Sequence, residues 1–206
     1  MATVIFPYIG AGETSNEMPR AKAGSKSVLI CGSARCLWDD ITKLGPFDGD
    51  LMAINYAGMF LHKRPQHWVS IHAECFQWML PLMPDNVYSP QGVMVRRIET
   101  HSHRACRGVI HVWPKIVVRP GNGSSSLAGI RVALAMGYEQ AILAGIPLDG
   151  SGHFYDPPAG LQTDPDYDFR YDYASYLAPW VSAARDEFNG RVKSLSGKTR
   201  ELLGAP

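Results

Sequence analysis

Short apolar runs that stop at a glycine or polar residue recur along this chain, each with a helix-compatible segment behind it. Val28-Leu29-Ile30-Cys31 ends at Gly32 and leads to Leu37-Trp38-Asp39-Asp40-Ile41. Leu51-Met52-Ala53-Ile54 ends at Asn55, and Trp68-Val69-Ser70-Ile71 ends at His72. Strands covered on both faces read as unbroken apolar runs, and their alternation with helices indicates a parallel sheet between two helical layers. Further strands are expected within residues 109–118, interrupted by Pro114, and at 141–143 and 192–195. Helices are expected over residues 124–136, 173–188 and 198–203, the second with Trp180 and Val181 inward and Pro179 either kinking it or in its first turn. The fold class is α/β, an open, doubly wound, mostly parallel sheet.

Residues 1–26 read as a flexible lead-in, since GAGETSNEMPRAKAGSK is small, polar and aperiodic, and one domain is expected over residues 27–206. Residues 151–172, SGHFYDPPAGLQTDPDYDFRYD, are too polar for core and too aromatic for a passive linker, which suggests a lid loop over a site. A formal net charge of +1 carries no signature for a nucleic acid duplex. No apolar run approaches the roughly 20 residues of a membrane span, and the amino terminus lacks a signal-peptide pattern. The four cysteines, Cys31, Cys36, Cys75 and Cys106, have no metal spacing and read as reduced, hence a cytoplasmic protein. A homo-oligomer is compatible with this composition, and a phage or mobile-element origin with so compact a domain.

In an open parallel sheet, ligands bind beyond the carboxyl ends of the strands where the crossover direction reverses. The residues that close the apolar runs are therefore the candidates: Gly32, Ser33 and Arg35, Asn55 and Tyr56, His72 and Glu74, and the segment from Gly145 to Asp149. GNGSSSLAGIRVALAMGYEQAILAGIPLD adds a Gly/Ser-rich helix start at Ser124 and Ser125, whose unpaired N–H groups suit a phosphate. The same serines equally make an ordinary helix cap. GNGSSSL has no Lys-Ser/Thr, which excludes a P-loop, and GxGxxG is absent.

Each candidate has a plainer alternative. His72 also serves as a strand end, Glu74 as a helix cap, and His153 and Asp156 as turn residues. Tyr155, Tyr167, Tyr171 and Tyr173 can stack on a base or anchor the loop to the core. His101, His103 and His111 sit among Arg96, Arg97, Arg104 and Arg107, company that favours phosphate or a solvated surface over a cation, so no metal site is assigned.

VLICGSARCL, DLMAINYA, SSSLAGIRVALAMGYEQAILAGIPLD and the tail VKSLSGKTRELLGAP, in this order, resemble the small bacterial sialyltransferases of the lipooligosaccharide type. They are also similar to the domain family related to archaeal 6-hydroxymethylpterin diphosphokinase. The resemblance implies a Rossmann-like fold that binds cytidine or a similar nucleotide through the first Gly loop, Asn55, the Ser-rich helix start and the aromatic loop after Gly145. The sialyltransferases place an Asn where this chain has Ser33, and a catalytic His downstream of the aromatic loop, where Arg170, Tyr171 and Asp172 stand here. His72 or His153 would then serve as base, or the reaction differs.

Two activities and a binding role follow. The first is a glycosyltransferase-like reaction between a nucleotide or nucleotide-sugar donor and an acceptor hydroxyl. Its residues would be His72, Asp149 and His153 for proton transfer, with Gly32, Ser33, Asn55, Ser124, Ser125, Gly145 and Tyr155 on the nucleotide. The alternative is diphosphoryl transfer from ATP to a small heterocyclic alcohol, which requires Mg²⁺ on Asp149, Asp156 or Glu74. The third is nucleotide sequestration without turnover.

Overall fold

The computed structural model describes residues 14–15, 21, 24–63, 65–69, 86–89, 109–112, 124–156 and 173–206. Its strands are β1 (Thr14–Ser15), β2 (Ser27–Cys31), β3 (Asp50–Ile54), β4 (His67–Val69), β5 (Asn86–Ser89), β6 (Val109–Val112), β7 (Gln140–Ala144) and β8 (Val192–Ser194). They form one eight-stranded sheet in the order β1-β6-β5-β4-β3-β2-β7-β8. Every neighbouring pair is parallel, so the sheet is more uniform than the mostly parallel one expected. The helices among the described residues are α1 (Leu37–Leu44), α2 (Ser125–Ala135), α3 (Tyr173–Asp186) and α4 (Gly197–Leu203), with a 3₁₀ turn at Asn55–Met59.

Side chains alternate across a strand, so each central strand supplies both faces of the sheet. Val28, Ile30, Met52, Ile54 and Leu143 join Leu127 and Ile130 of α2 and Trp180 of α3 in one buried cluster. Leu29, Cys31, Ile142 and Ala144 meet Leu37 of α1 in another, with Trp38, Ile41 and Leu44 packed against it. Two apolar layers explain why these strands show no polar face in sequence.

The chain winds from β2 outward through β3, β4, β5 and β6, then returns to place β7 on the other side of β2. The crossover therefore reverses between β2 and β7. Helix α2 makes this return: Gly129 lies against Ile54 at the end of β3, while Tyr138, beyond the helix, reaches Asp50 at the start of β3. It runs antiparallel to the strands and starts at their carboxyl edge.

Two strands depart from the sequence reading. Thr14–Ser15 lies inside the stretch read as lead-in and pairs with β6. A two-residue strand has no periodicity to detect, and Asn86–Ser89 carries only Val87 and Tyr88 as strand-forming residues. In α3, Trp180 is fully buried whereas Val181 is 44% exposed, because consecutive residues diverge by ~100° around a helix axis. Pro179 lies inside α3 beyond its first turn.

Candidate functional site

The loops leaving β2 and β7 touch immediately beyond the sheet. Gly32 N–H donates to the Ala144 carbonyl at 2.8 Å, and Ala34 N–H to the Gly145 carbonyl at 3.1 Å. A Cβ on Gly32 would stand 2.5 Å from the Gly145 carbonyl oxygen, and one on Gly145, whose φ is +65°, would stand 2.7 Å from the Gly32 oxygen. Only two glycines allow this approach, which gives both sequence-predicted glycines a backbone reason.

The segment after Gly145 folds back over the β2 loop. Ala34 and His153 form an antiparallel bridge, Phe154 N–H donates to the Ser33 carbonyl at 2.9 Å, and Arg35 N–H to the Gly152 carbonyl at 3.2 Å. Leu148, at the turn into this segment, holds φ at +52°, and Asn55 at the end of β3 holds +49°. Non-glycine residues in that region cost about 1–3 kcal/mol each and tend to cluster at functional sites. Asn is among the residues that tolerate it best, and the Asn55 carbonyl accepts the Trp68 indole N–H.

His153 and Asp156 are the chemically distinctive pair here. Asp156 Oδ2 accepts the backbone N–H of His153 at 2.5 Å, and its Oδ1 lies 3.4 Å from His153 Nδ1. Their side chains are 24% and 18% exposed. Burial lowers the His153 pKa below the ordinary 6.5, opposed by the charge and hydrogen bonding of Asp156. The imidazole is therefore neutral at pH 7, with Nδ1 facing the Asp156 carboxylate.

Aromatic rings frame this pair. His153 stacks on Tyr155 with centroids 4.8 Å apart and planes 11° apart. Tyr155 meets Tyr56 at 5.7 Å, which ties the loop to the residue following Asn55. Phe60, 45% exposed, packs edge-on against Phe154 at 5.0 Å.

Beneath the loops lies a polar support that sequence reading missed. Asp40 of α1 is fully buried; its Oδ2 accepts Gly145 N–H at 2.9 Å and the Ser196 hydroxyl at 2.7 Å. Ser196 Oγ is also 3.3 Å from Cys36 Sγ. Thr199 donates its hydroxyl to the Ile146 carbonyl at 2.6 Å, so α4 buttresses the same turn. The signal for Asp40 was its position between Leu37 and Leu44, on the face of α1 that a helical period turns inward. Burial pushes the Cys36 thiol up to about 11, with the Ser196 hydrogen bond opposing and the Asp40 charge adding. Burial and the same charge push Cys31 to about 12. Neither is a thiolate at neutral pH.

Of the sequence-predicted residues, Gly32, Ser33, Gly145, His153 and Tyr155 come together at this crevice, with Asn55 joined through Tyr56. Ser124 and buried Ser125 begin α2 beyond the end of β3. The Ser124 hydroxyl accepts Leu127 N–H at 3.1 Å and the Trp180 indole N–H at 3.3 Å, the work of a helix cap. Asp149 is exposed and accepts Ser151 N–H at 3.0 Å within its own turn. His72, Glu74, Asn122, the His101/His103 cluster with its arginines, and lid residues 157–172 lie outside the described residues. Among the described residues no group of three or more His, Cys, Asp or Glu could hold a metal ion, and no helix is long and apolar enough to cross a membrane.

No protein-family model and no curated protein matches this sequence. Among solved structures, the chain is similar in fold to the monofunctional alpha-2,3-sialyltransferase Cst-I from Campylobacter jejuni. The TM-score is 0.58 over 94% of this chain and 84% of that chain, at 11% sequence identity. The likeness is one of fold, and it extends over nearly the whole chain.

Proposed function

We propose that the protein is a nucleotide-dependent transferase of glycosyltransferase type, moving a sugar from a nucleotide donor to an acceptor hydroxyl. The observation that carries this reading is the His153–Asp156 pair, fixed by backbone pairing to the loop at the reversal point of a parallel sheet. Fold likeness to a sialyltransferase supports the same class. In this reading the donor lies over the joined Gly32–Ser33 and Gly145 turns, within reach of Asn55 and the start of α2.

His153 Nε2 takes the proton from the acceptor hydroxyl as its oxygen bonds the anomeric carbon. The bond from that carbon to the donor phosphate breaks, and its electron pair leaves with the nucleotide. Asp156, with Oδ1 3.4 Å from Nδ1, stabilises the imidazolium that forms, and a positioned general base is typically worth 10²–10⁴-fold. Tyr155, stacked on the imidazole, limits ring rotation.

Thermal stabilisation by a panel of nucleotides and nucleotide sugars tests donor binding, since saturation at ~1,000 times the dissociation constant adds about 4 kcal/mol. Release of free nucleotide from the stabilising donor, in the presence of sugar acceptors, tests transfer. A panel without any stabilisation overturns the reading. ATP-specific stabilisation abolished by a chelator would replace it with the diphosphokinase.

A further inference from the structure

Arg35 lies two residues beyond Ser33, in the loop between β2 and α1, at the point where the crossover reverses. Its backbone N–H donates to the Gly152 carbonyl and its side-chain Nε to the His153 carbonyl at 3.3 Å, so both ends of the residue grip the segment that carries the base. A Cβ on Gly152 would stand 2.9 Å from Asp156 Oδ2 and 3.9 Å from Arg35 Nε, so both side chains lie on the same side of this glycine, with the Asp156 carboxylate turned to His153. Arg35 is exposed, and among the described residues it makes no ion pair; Nη1 and Nη2 have no hydrogen-bond partner there. An arginine whose Nε is spent on a carbonyl keeps the outer edge of its fork, and that edge matches the oxygens of a phosphate.

We propose that Arg35 is the cationic contact for the phosphate of the nucleotide donor and that it couples donor binding to the position of the base. Nη1 and Nη2 take the phosphate oxygens while Nε keeps hold of the His153 carbonyl, so a bound phosphate draws the His153 segment and the Gly32–Arg35 loop together. As the anomeric bond breaks, negative charge collects on those oxygens, where a fixed guanidinium is most useful. This inference rests on the proposed nucleotide-dependent reaction and adds a residue and a ligand atom to it.

The experiment compares wild type with Arg35→Gln and Arg35→Lys, titrating CMP, UMP, AMP and GMP and their four nucleosides by calorimetry at low and high salt. Glutamine keeps an N–H donor for the His153 carbonyl but carries no charge; lysine keeps the charge but loses the fork. The backbone bonds from Ala34 and Arg35 to the facing loop remain in both, so the fold is retained, and circular dichroism checks it. Wild type should bind at least one monophosphate more tightly than its nucleoside, with the difference shrinking in salt. Arg35→Gln should weaken that monophosphate by roughly 10- to 100-fold, the loss of a hydrogen bond to a charged group, and leave the nucleoside unchanged. Arg35→Lys should fall between. Unchanged monophosphate affinity in Arg35→Gln overturns the role of Arg35 alone, as does an equal loss on monophosphate and nucleoside, which would mark a purely structural latch. A wild type that binds no nucleotide overturns the proposed function, and this inference with it.

Discussion

The two edges of the sheet treat their polar residues in opposite ways. At the amino edge, Asp50 opens β3, His67 opens β4 and Tyr138 precedes β7, all three buried. The Tyr138 hydroxyl donates to Asp50 Oδ2 at 2.5 Å, and having one proton, it accepts from His67 Nε2 at 2.7 Å. The network lies in the interior. At the carboxyl edge, His153 is partly exposed, its main chain is held by the β2 loop, and a carboxylate faces one ring nitrogen. A histidine in one setting ties strands together; in the other it stands partly exposed beside a carboxylate, the setting that the proposed proton transfer would use. The difference comes from where the polypeptide turns: the strand starts are packed shut, whereas at the reversal between β2 and β7 the two loops meet through their backbones and leave the His153 and Asp156 side chains partly exposed.

The contrast can be broken most severely at the crevice floor. Gly32→Ala drives a methyl into the Gly145 carbonyl and the Ile146 side chain, so a loss of about 3 kcal/mol or more in urea-unfolding stability is expected. Next is His153→Asn, which should lower transferase turnover by roughly 10²–10⁴-fold while the urea midpoint stays near wild type; a large stability loss would make His153 structural. Tyr138→Phe should do the reverse, costing about 1–3 kcal/mol through two stranded buried partners and leaving nucleotide affinity unchanged. Smallest is a shift of pH dependence. The acid limb of the rate profile should lie below pH 6.5, since burial lowers the His153 pKa. Asp156→Asn removes the contributions that raise it, so that limb should move to still lower pH as the plateau rate falls. For stability the sign is the same at its origin. As pH falls below 6.5 the unfolded chain takes up the His153 proton first, and stability drops until the folded-state pKa is passed.

Most of the architecture was legible because burial on both faces leaves an unmistakable trace. Val28–Cys31, Leu51–Ile54 and Ala141–Leu143 are apolar without a break, and the residues that stop them are where the loops emerge. Gly32 and Gly145 could be read as ends of runs, but their mutual contact could not, since it depends on β2 and β7 being adjacent. Asp40 was hidden for a similar reason: an acidic residue in an eight-residue helix looks solvated until Gly145 and Ser196 are seen to donate to it. Asp156 was read as a turn residue or a carboxylate for Mg²⁺, and its place beside the His153 ring appears only when His153 is brought back over Ala34. The Asp50–Tyr138–His67 network joins residues from three separate strand starts, which no local pattern announces.

The pairing of Ser27 with Gln140 joins neighbouring strands from segments more than a hundred residues apart. Contacts of such long separation form late and slow the search for the native state. During synthesis the turn after β2 has no backbone partner until β7 and Gly145 have left the ribosome. A fragment ending before Gln140 should expose the apolar flank of β2 to chaperones or to other copies of itself.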